Sequence, residues 1–208
     1  SYDHDGDGKG WMPIAGAGTG LRFQGNYNGQ GFVIYNLFID RPLTDNVGLF
    51  GHVGVDDDVT NISINNLGLV DVDVSGARGV GALIGRVTAN SNTITEFTFV
   101  RYGSVTGDGA TGGLVGSNNS YRTTANSNGY KPRISKSFTN VDVYWSETTT
   151  GDKFGGIAGC TQKGVIINSY SRGSVNVDNT VAQLSSIERV GGVAGCALQR
   201  GEVLYSYS

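Results

Sequence analysis

The tract FGGIAGC at 154–160 returns as VGGVAGC at 190–196, 36 residues later, and the two copies hold the chain's two cysteines. This repetition constrains the fold more than any local propensity does. Self-similarity at a period of tens of residues marks stacked units that bury their hydrophobic faces against one another. Three further copies stand upstream: VGLFGHV from Val47, VGALIGRV from Val80 and TGGLVGS from Thr111. Their last glycines, Gly51, Gly85, Gly116, Gly159 and Gly195, lie 34, 31, 43 and 36 residues apart. Behind each anchor comes a second phrase, roughly I-x-N-(L/S). It reads IYNL from Ile34, INNL from Ile64, ITEF from Ile94, ISKS from Ile134, IINS from Ile166 and VLYS from Val203. A third element alternates apolar and polar residues, as in LVDVDV from Leu69, NVDVYW from Asn140 and GSVNVDN from Gly173. Alternation of period two is the pattern of a half-buried strand.

Each unit therefore offers about three short strands, separated by Gly, Asn, Ser and Asp clusters that read as turns. Helical periodicity is absent, and the shorter units have no room for the four strands of a propeller blade. The expected fold is all-β, a parallel β-helix with about one coil per unit, each strand stacked on its counterparts above and below. Because stacked strands sit about 4.8 Å apart, a recurring position becomes a column along the axis. Leu49, Leu83, Leu114, Ile157 and Val193 form an inward column. The preceding place holds Gly48, Ala82, Gly113, Gly156 and Gly192, small residues that let the chain bend or approach another backbone. Cys160 and Cys196 share the column after the anchor, at a separation that a disulfide can span. A reduced pair behaving as small buried hydrophobes satisfies the same spacing.

Composition narrows the class. Apolar residues at 38% and charged residues at 16% exclude a disordered chain, which needs the reverse balance. With a net charge of −3 and scattered lysines and arginines, nucleic acid is not an expected partner. No run approaches the ~20 apolar residues of a membrane-spanning helix, so no membrane insertion is expected of this piece. The chain starts at Ser1 and breaks off inside a unit, since VLYSYS should lead on to another strand and anchor. It reads as a single β-helical piece, residues 1–208, of a longer protein that continues into further domains. Residues 1–31 form a lead-in with an Asp-rich loop, and residues 32–208 form the coils, with a long insertion near 117–133.

VGLFGHV and TGGLVGS, with INNLGLVDVDVSG and IINSYSRGSVNV between anchors, resemble the GLUG repeat of bacterial secreted and surface proteins. GWMPIAGAGTGLRFQGNYNGQGFVIYNLFIDRP looks like the segment that often precedes such repeats. The resemblance covers nearly the whole chain. It implies a right-handed parallel β-helix on a long exported protein, of the kind found in adhesins, in N-terminal regions of IgA-specific metallopeptidases and beside polysaccharide-active modules. The third unit carries Glu96 and the fourth Lys136 where the phrase has Asn, so an asparagine ladder would be interrupted there.

Candidate chemistry is sparse. Asp3, Asp5 and Asp7 in DHDGDGKG match the first half of a Ca²⁺ loop, three hard oxygen donors on a glycine-kinked turn. The twelfth position is Ile14 where an EF-hand has its bidentate Glu, so a solvated acidic turn is the competing reading. Asp71, Asp73 and Asp142 are outward carboxylates at spacings that a glycosidase would use, and that any polar strand face also supplies. A lyase would want a basic residue, and Arg101 and Arg172 qualify without being singled out by spacing. H-E-x-x-H and G-x-S-x-G are missing, and AGAGTG lacks the Lys of a phosphate loop. Tyr121, Tyr130, Tyr144 and Trp145 are the candidate ligand-binding aromatics, flat rings able to stack on a glycan, the first two bracketing the long insertion. Two functions follow. One is a non-catalytic module of a secreted or cell-surface adhesin-like protein, presenting loops to a glycan or surface ligand. The other is a polysaccharide-active β-helix enzyme or its accessory domain.

Overall fold

The computed structural model describes residues 6–16, 20–55, 61–88, 92–119, 131–146, 153–177 and 189–208. Among these residues every element is a β-strand, and every strand pairing in the three sheets is parallel. The expected β-solenoid is what the chain forms.

Each repeat tract supplies two strands and the corner between them. The first face stacks Val80–Gly81, Ala110–Gly112, Lys153–Gly155 and Arg189–Gly191. After a two-residue bend the second face stacks Phe50–Val53, Ile84–Thr88, Val115–Asn119, Ala158–Gln162 and Ala194–Leu198. The second and third elements of the units build the last, folded face. Its longest strands are Ile62–Ser75 and Thr93–Gly107, followed by Arg133–Ser135 with Phe138–Trp145, and then Val165–Ile167, Tyr170–Ser171 and Val175–Asn176. The stack begins within the lead-in, because Asn26–Asn28 already pairs with Ser63 to Asn65.

The inward column lines up as expected. Leu49 donates its backbone N–H to Ala82 O, Leu83 to Leu114 O, Leu114 to Ile157 O and Ile157 to Val193 O. The first four of these side chains are buried in one continuous core. The anchor glycines have a different cause. A Cβ on Gly85 would stand 2.5 Å from Val47 N and 2.7 Å from Gly51 O, backbone atoms that cannot step aside. A Cβ on Gly81, Gly112 or Gly155 would likewise stand 2.6 Å from the backbone nitrogen of Gly116, Gly159 or Gly195. Two glycine columns on facing strands thus interlock, and the first two faces meet backbone to backbone. Ala82 shows that the corner column is less strict than the anchor.

Register corrects the phrase alignment in two units. Tyr27, not Ile34, lies over Ile64, and Ile34 pairs with Leu69. Ile94 pairs with Ser63, so Phe97 rather than Glu96 falls in the column of Asn66. That column is a left-handed corner: Asn66, Phe97, Lys136, Asn168 and Tyr205 all have φ between 47° and 54°. Asn suits this conformation, and the bulkier residues adopt it at a cost of about 1–2 kcal/mol each. A second corner, Asn36, Asp71 and Tyr102, follows five residues along from Asn66 and Phe97.

Serines and threonines close the first corner from inside. Ser137, Ser169 and Ser206 each donate a hydroxyl hydrogen to the carbonyl two residues back, at 2.8–3.0 Å. The same oxygens accept from the backbone N–H of Thr98, Ser137 and Ser169 on the coil before, each at 3.2 Å. Ser137 and Ser169 are buried, and with donor and acceptor roles both filled their hydroxyls carry no uncompensated desolvation penalty.

The lead-in covers the open edge of the second face. Ile14 donates to Leu49 O and accepts from Gly51, while Phe23 donates to His52 O. Phe50 is sealed between the rings of Phe23 and Tyr27 at 4.9 and 5.3 Å. Covering an unpaired strand edge removes a template for aggregation. Further along, Cys160 and Cys196 face each other in register and are joined by a disulfide, their Cα atoms 4.6 Å apart.

Two outcomes test this account. Gly85→Ala should lower unfolding free energy by about 3 kcal/mol, because rigid backbone blocks the methyl, whereas Gly25→Ala, whose Cβ would meet only the Phe23 ring at 3.4 Å, should change it by less than about 0.5 kcal/mol; urea titration monitored by circular dichroism reads both. Reducing the disulfide opens a loop of 36 residues and should cost about 4 kcal/mol, measured as a fall in the urea midpoint with added reductant.

Candidate functional site

Just after the first corner, strand alternation turns one residue of each coil outward, between two buried ones in the third to fifth coils. In the third to sixth coils that residue is Phe99, Phe138, Tyr170 and Tyr207. The rings form a ladder along the axis, with centroids 5.2, 5.1 and 5.3 Å apart and planes within 7° of parallel. Phe99, Phe138 and Tyr170 are half-buried and Tyr207 is 60% exposed. The spacing follows the strand repeat, so parallel stacking in the sheet produces ring stacking at its surface. In the sequence the signal is the recurring trio EFTFVR, SFTN and SYSR, with SYS at the end. Sequence reasoning passed over it by reading these letters as part of a turn phrase.

Polar side chains flank the ladder on both sides. Arg101, Asn140 and Arg172 occupy one outward column two residues along, Arg101 in register with Asn140. Stacking brings the two arginines to the same strip of surface although 71 residues separate them in the chain. Arg172 sits over the Tyr170 ring at 5.3 Å, and Arg101 donates to Tyr102 Oη at 2.9 Å. On the other side Lys136 covers the Phe97 ring at 4.6 Å and pairs with Glu96 at 3.2 Å. Exposed pairs of this kind hold side chains in place more than they add stability.

The ladder stops at Phe99, because the coil before it places Gly68 in that column. The Phe99 ring leans over Gly68, its Cε1 2.6 Å from where a Cβ would stand. Next to this missing rung is a cavity of about 460 Å³, lined by Asn28, Gln30, Asn66, Leu67, Phe97 and Phe99 with Gly31 and Gly68. Three successive coils each contribute to it.

The residues singled out from sequence fall in different places. Asp3, Asp5, Tyr121 and Tyr130 lie outside the described residues. Asp7 accepts from Arg41 Nη1 at 3.1 Å and from the Lys9 backbone N–H at 2.8 Å, so its carboxylate ties the lead-in to a buried arginine. Tyr144 is 39% exposed on its strand. Trp145 is a correction: it is 7% exposed and packs with Val143 and Phe154 in a small second core, leaving no ring face for a ligand. Strand alternation is the reason, since two consecutive residues cannot both point outward. Of the carboxylates, Asp73 accepts from Ser104 Oγ at 3.4 Å and Asp142 from the Ser174 backbone N–H at 2.9 Å, each bond joining neighbouring coils.

No family model matches the chain, and no solved structure does. Among curated proteins it is 40% identical over 120 residues to halomucin of Haloquadratum walsbyi, covering 58% of this chain and 1% of that protein. A protein of Evansella cellulosilytica described as a Gly-rich membrane protein is 33% identical over 99 residues, 48% of this chain and 10% of the relative. An immunoglobulin A1 protease of Streptococcus sanguinis is 30% identical over 189 residues, 78% of this chain and 9% of the relative. The chain thus spans a tenth or less of the length of each of these relatives.

Removing a middle ring tests the ladder as a physical unit. Phe138→Ala loses two stacked neighbours and should cost about 2 kcal/mol, while Tyr207→Ala at the end should cost under about 1 kcal/mol, both read from urea midpoints.

Proposed function

We propose that this chain is a non-catalytic GLUG-type module of a secreted or cell-surface protein, a stiff solenoid that presents an aromatic strip to a glycan or another surface ligand. The observation that carries this reading is the ladder of Phe99, Phe138, Tyr170 and Tyr207, kept partly open to solvent and flanked by Arg101, Asn140 and Arg172. A globular chain gains nothing in solubility from a continuous row of partly exposed rings, and such rows are more often contact surfaces. Asp73 and Asp142 each accept a hydrogen bond from the following coil, which supports a structural use for these carboxylates. The relatives support an exported setting: one is described as a membrane protein, and another takes its name from an antibody it cleaves. A disulfide between adjacent coils agrees with an oxidising compartment.

The test is a panel of acidic and neutral glycans incubated with the protein. Retention on one or more glycans with no new reducing ends and no unsaturated uronates is the expected result. Turnover of any of them would replace the module with an enzyme.

A further inference from the structure

The missing rung at Gly68 sets the cavity apart from the rest of the strip. Rings inside the ladder have their faces covered by neighbours and offer only edges to solvent. Phe99 is the first ring, and the face turned away from Phe138 has no aromatic partner among the described residues. On that side the Phe99 ring leans over Gly68, and the part of the ring left uncovered, with Leu67 and the 50% exposed ring of Phe97, makes the apolar side of the cavity. The other side is built from amides. Asn28 ends the strand Asn26–Asn28, Gln30 follows in the turn with φ 54°, and Asn66 sits at the left-handed corner, also with φ 54°.

These amides are already oriented. Asn28 Oδ1 accepts from the Gln30 backbone N–H at 2.9 Å and from Asn66 Nδ2 at 3.1 Å. Asn66 Nδ2 is held further by Asn65 Oδ1 at 3.3 Å. What remains for a ligand is Asn28 Nδ2 as a donor, Asn66 Oδ1 as an acceptor and the whole Gln30 amide, which is both. Among the described residues no charged side chain lines the cavity. A volume of about 460 Å³ lies within the range of small-molecule sites.

We propose that this cavity binds a neutral pyranose unit, its C–H face on Phe99 and its hydroxyls on Asn28, Gln30 and Asn66. A sugar hydroxyl donates and accepts at once, which matches amides presenting both functions. An aromatic wall matches the apolar face of the ring. An acidic sugar would bring a carboxylate into a cavity whose neighbouring cation, Lys136 over the outer ring of Phe97, is already paired with Glu96 at 3.2 Å, so the charge would be desolvated without a free partner. The arginines lie on the far side of the ladder from this cavity, beyond Phe99 and Phe138. The inference rests on the glycan-contact reading above and assigns it a sugar class and a pocket.

Neutral methyl glycosides and the matching uronic acids, titrated into the ¹⁵N-labelled protein, test it. Neutral glycosides should shift the side-chain amide resonances of Asn28, Gln30 and Asn66 saturably and receive saturation transfer from aromatic protons. The uronates should do neither. Asn28→Asp keeps the oxygen that orders the turn and replaces the free donor, and Gln30→Ala removes an exposed amide, so both should fold with unchanged Tm and bind about tenfold more weakly. Phe99→Leu should abolish the saturation transfer. Binding that survives all three variants, or shifts confined to Arg101 and Arg172, would overturn the pocket and leave the surface-module reading in place. Failure of every glycan to bind the folded protein would overturn both the pocket and the glycan-contact reading on which it rests.

Discussion

Everything in this molecule depends on how closely two strands of one coil approach two strands of the next. Gly81, Gly112 and Gly155 on one face meet Gly116, Gly159 and Gly195 on the other with no space for a single methyl group. Beside this contact, Leu, Ile and Val side chains from all three faces fill one continuous interior. A chain with larger residues at those columns would need to separate the two faces. The backbone hydrogen bonds that join the coils would then lose their geometry.

Once coils are held in register, each outward or inward position acts as a column rather than as an isolated residue. Serine columns close corners and tie successive coils together. Aromatic residues become a ladder, cysteines become a clamp, and arginines far apart in the chain come to one strip of surface. Function in such a scaffold arises where a column is broken. At Gly68 the aromatic column fails for one rung, and the vacancy is bounded by groups from three coils.

Much of this was legible before any coordinates. The leucine column, the parallel stacking and the juxtaposition of Cys160 with Cys196 all follow from letters recurring in the same local frame. The frame failed at two places for a definable reason. Left-handed corners prefer Asn without requiring it, so the corner at Phe97 carried no letter to mark it and the phrase was set one residue early. In the first coil the insertion of turn residues around Gly29 moved the pairing partner of Ile64 to Tyr27. The aromatic strip was missed because its four members are not identical letters and because Phe and Tyr in short strands also serve as core. Trp145 was misplaced by treating aromatic character as exposure, against the period-two rule that also puts Tyr144 outside.

The sequence by itself determined that this chain is a stack: a repeat with an inward column and small residues at each corner has few other ways to bury its apolar side chains. Only the tertiary structure decided which glycines are obligatory, which ring ends the ladder and which amides stand beside it. Those outcomes depend on the register between coils, and register is set jointly by corner conformations and backbone contacts that a linear reading does not contain.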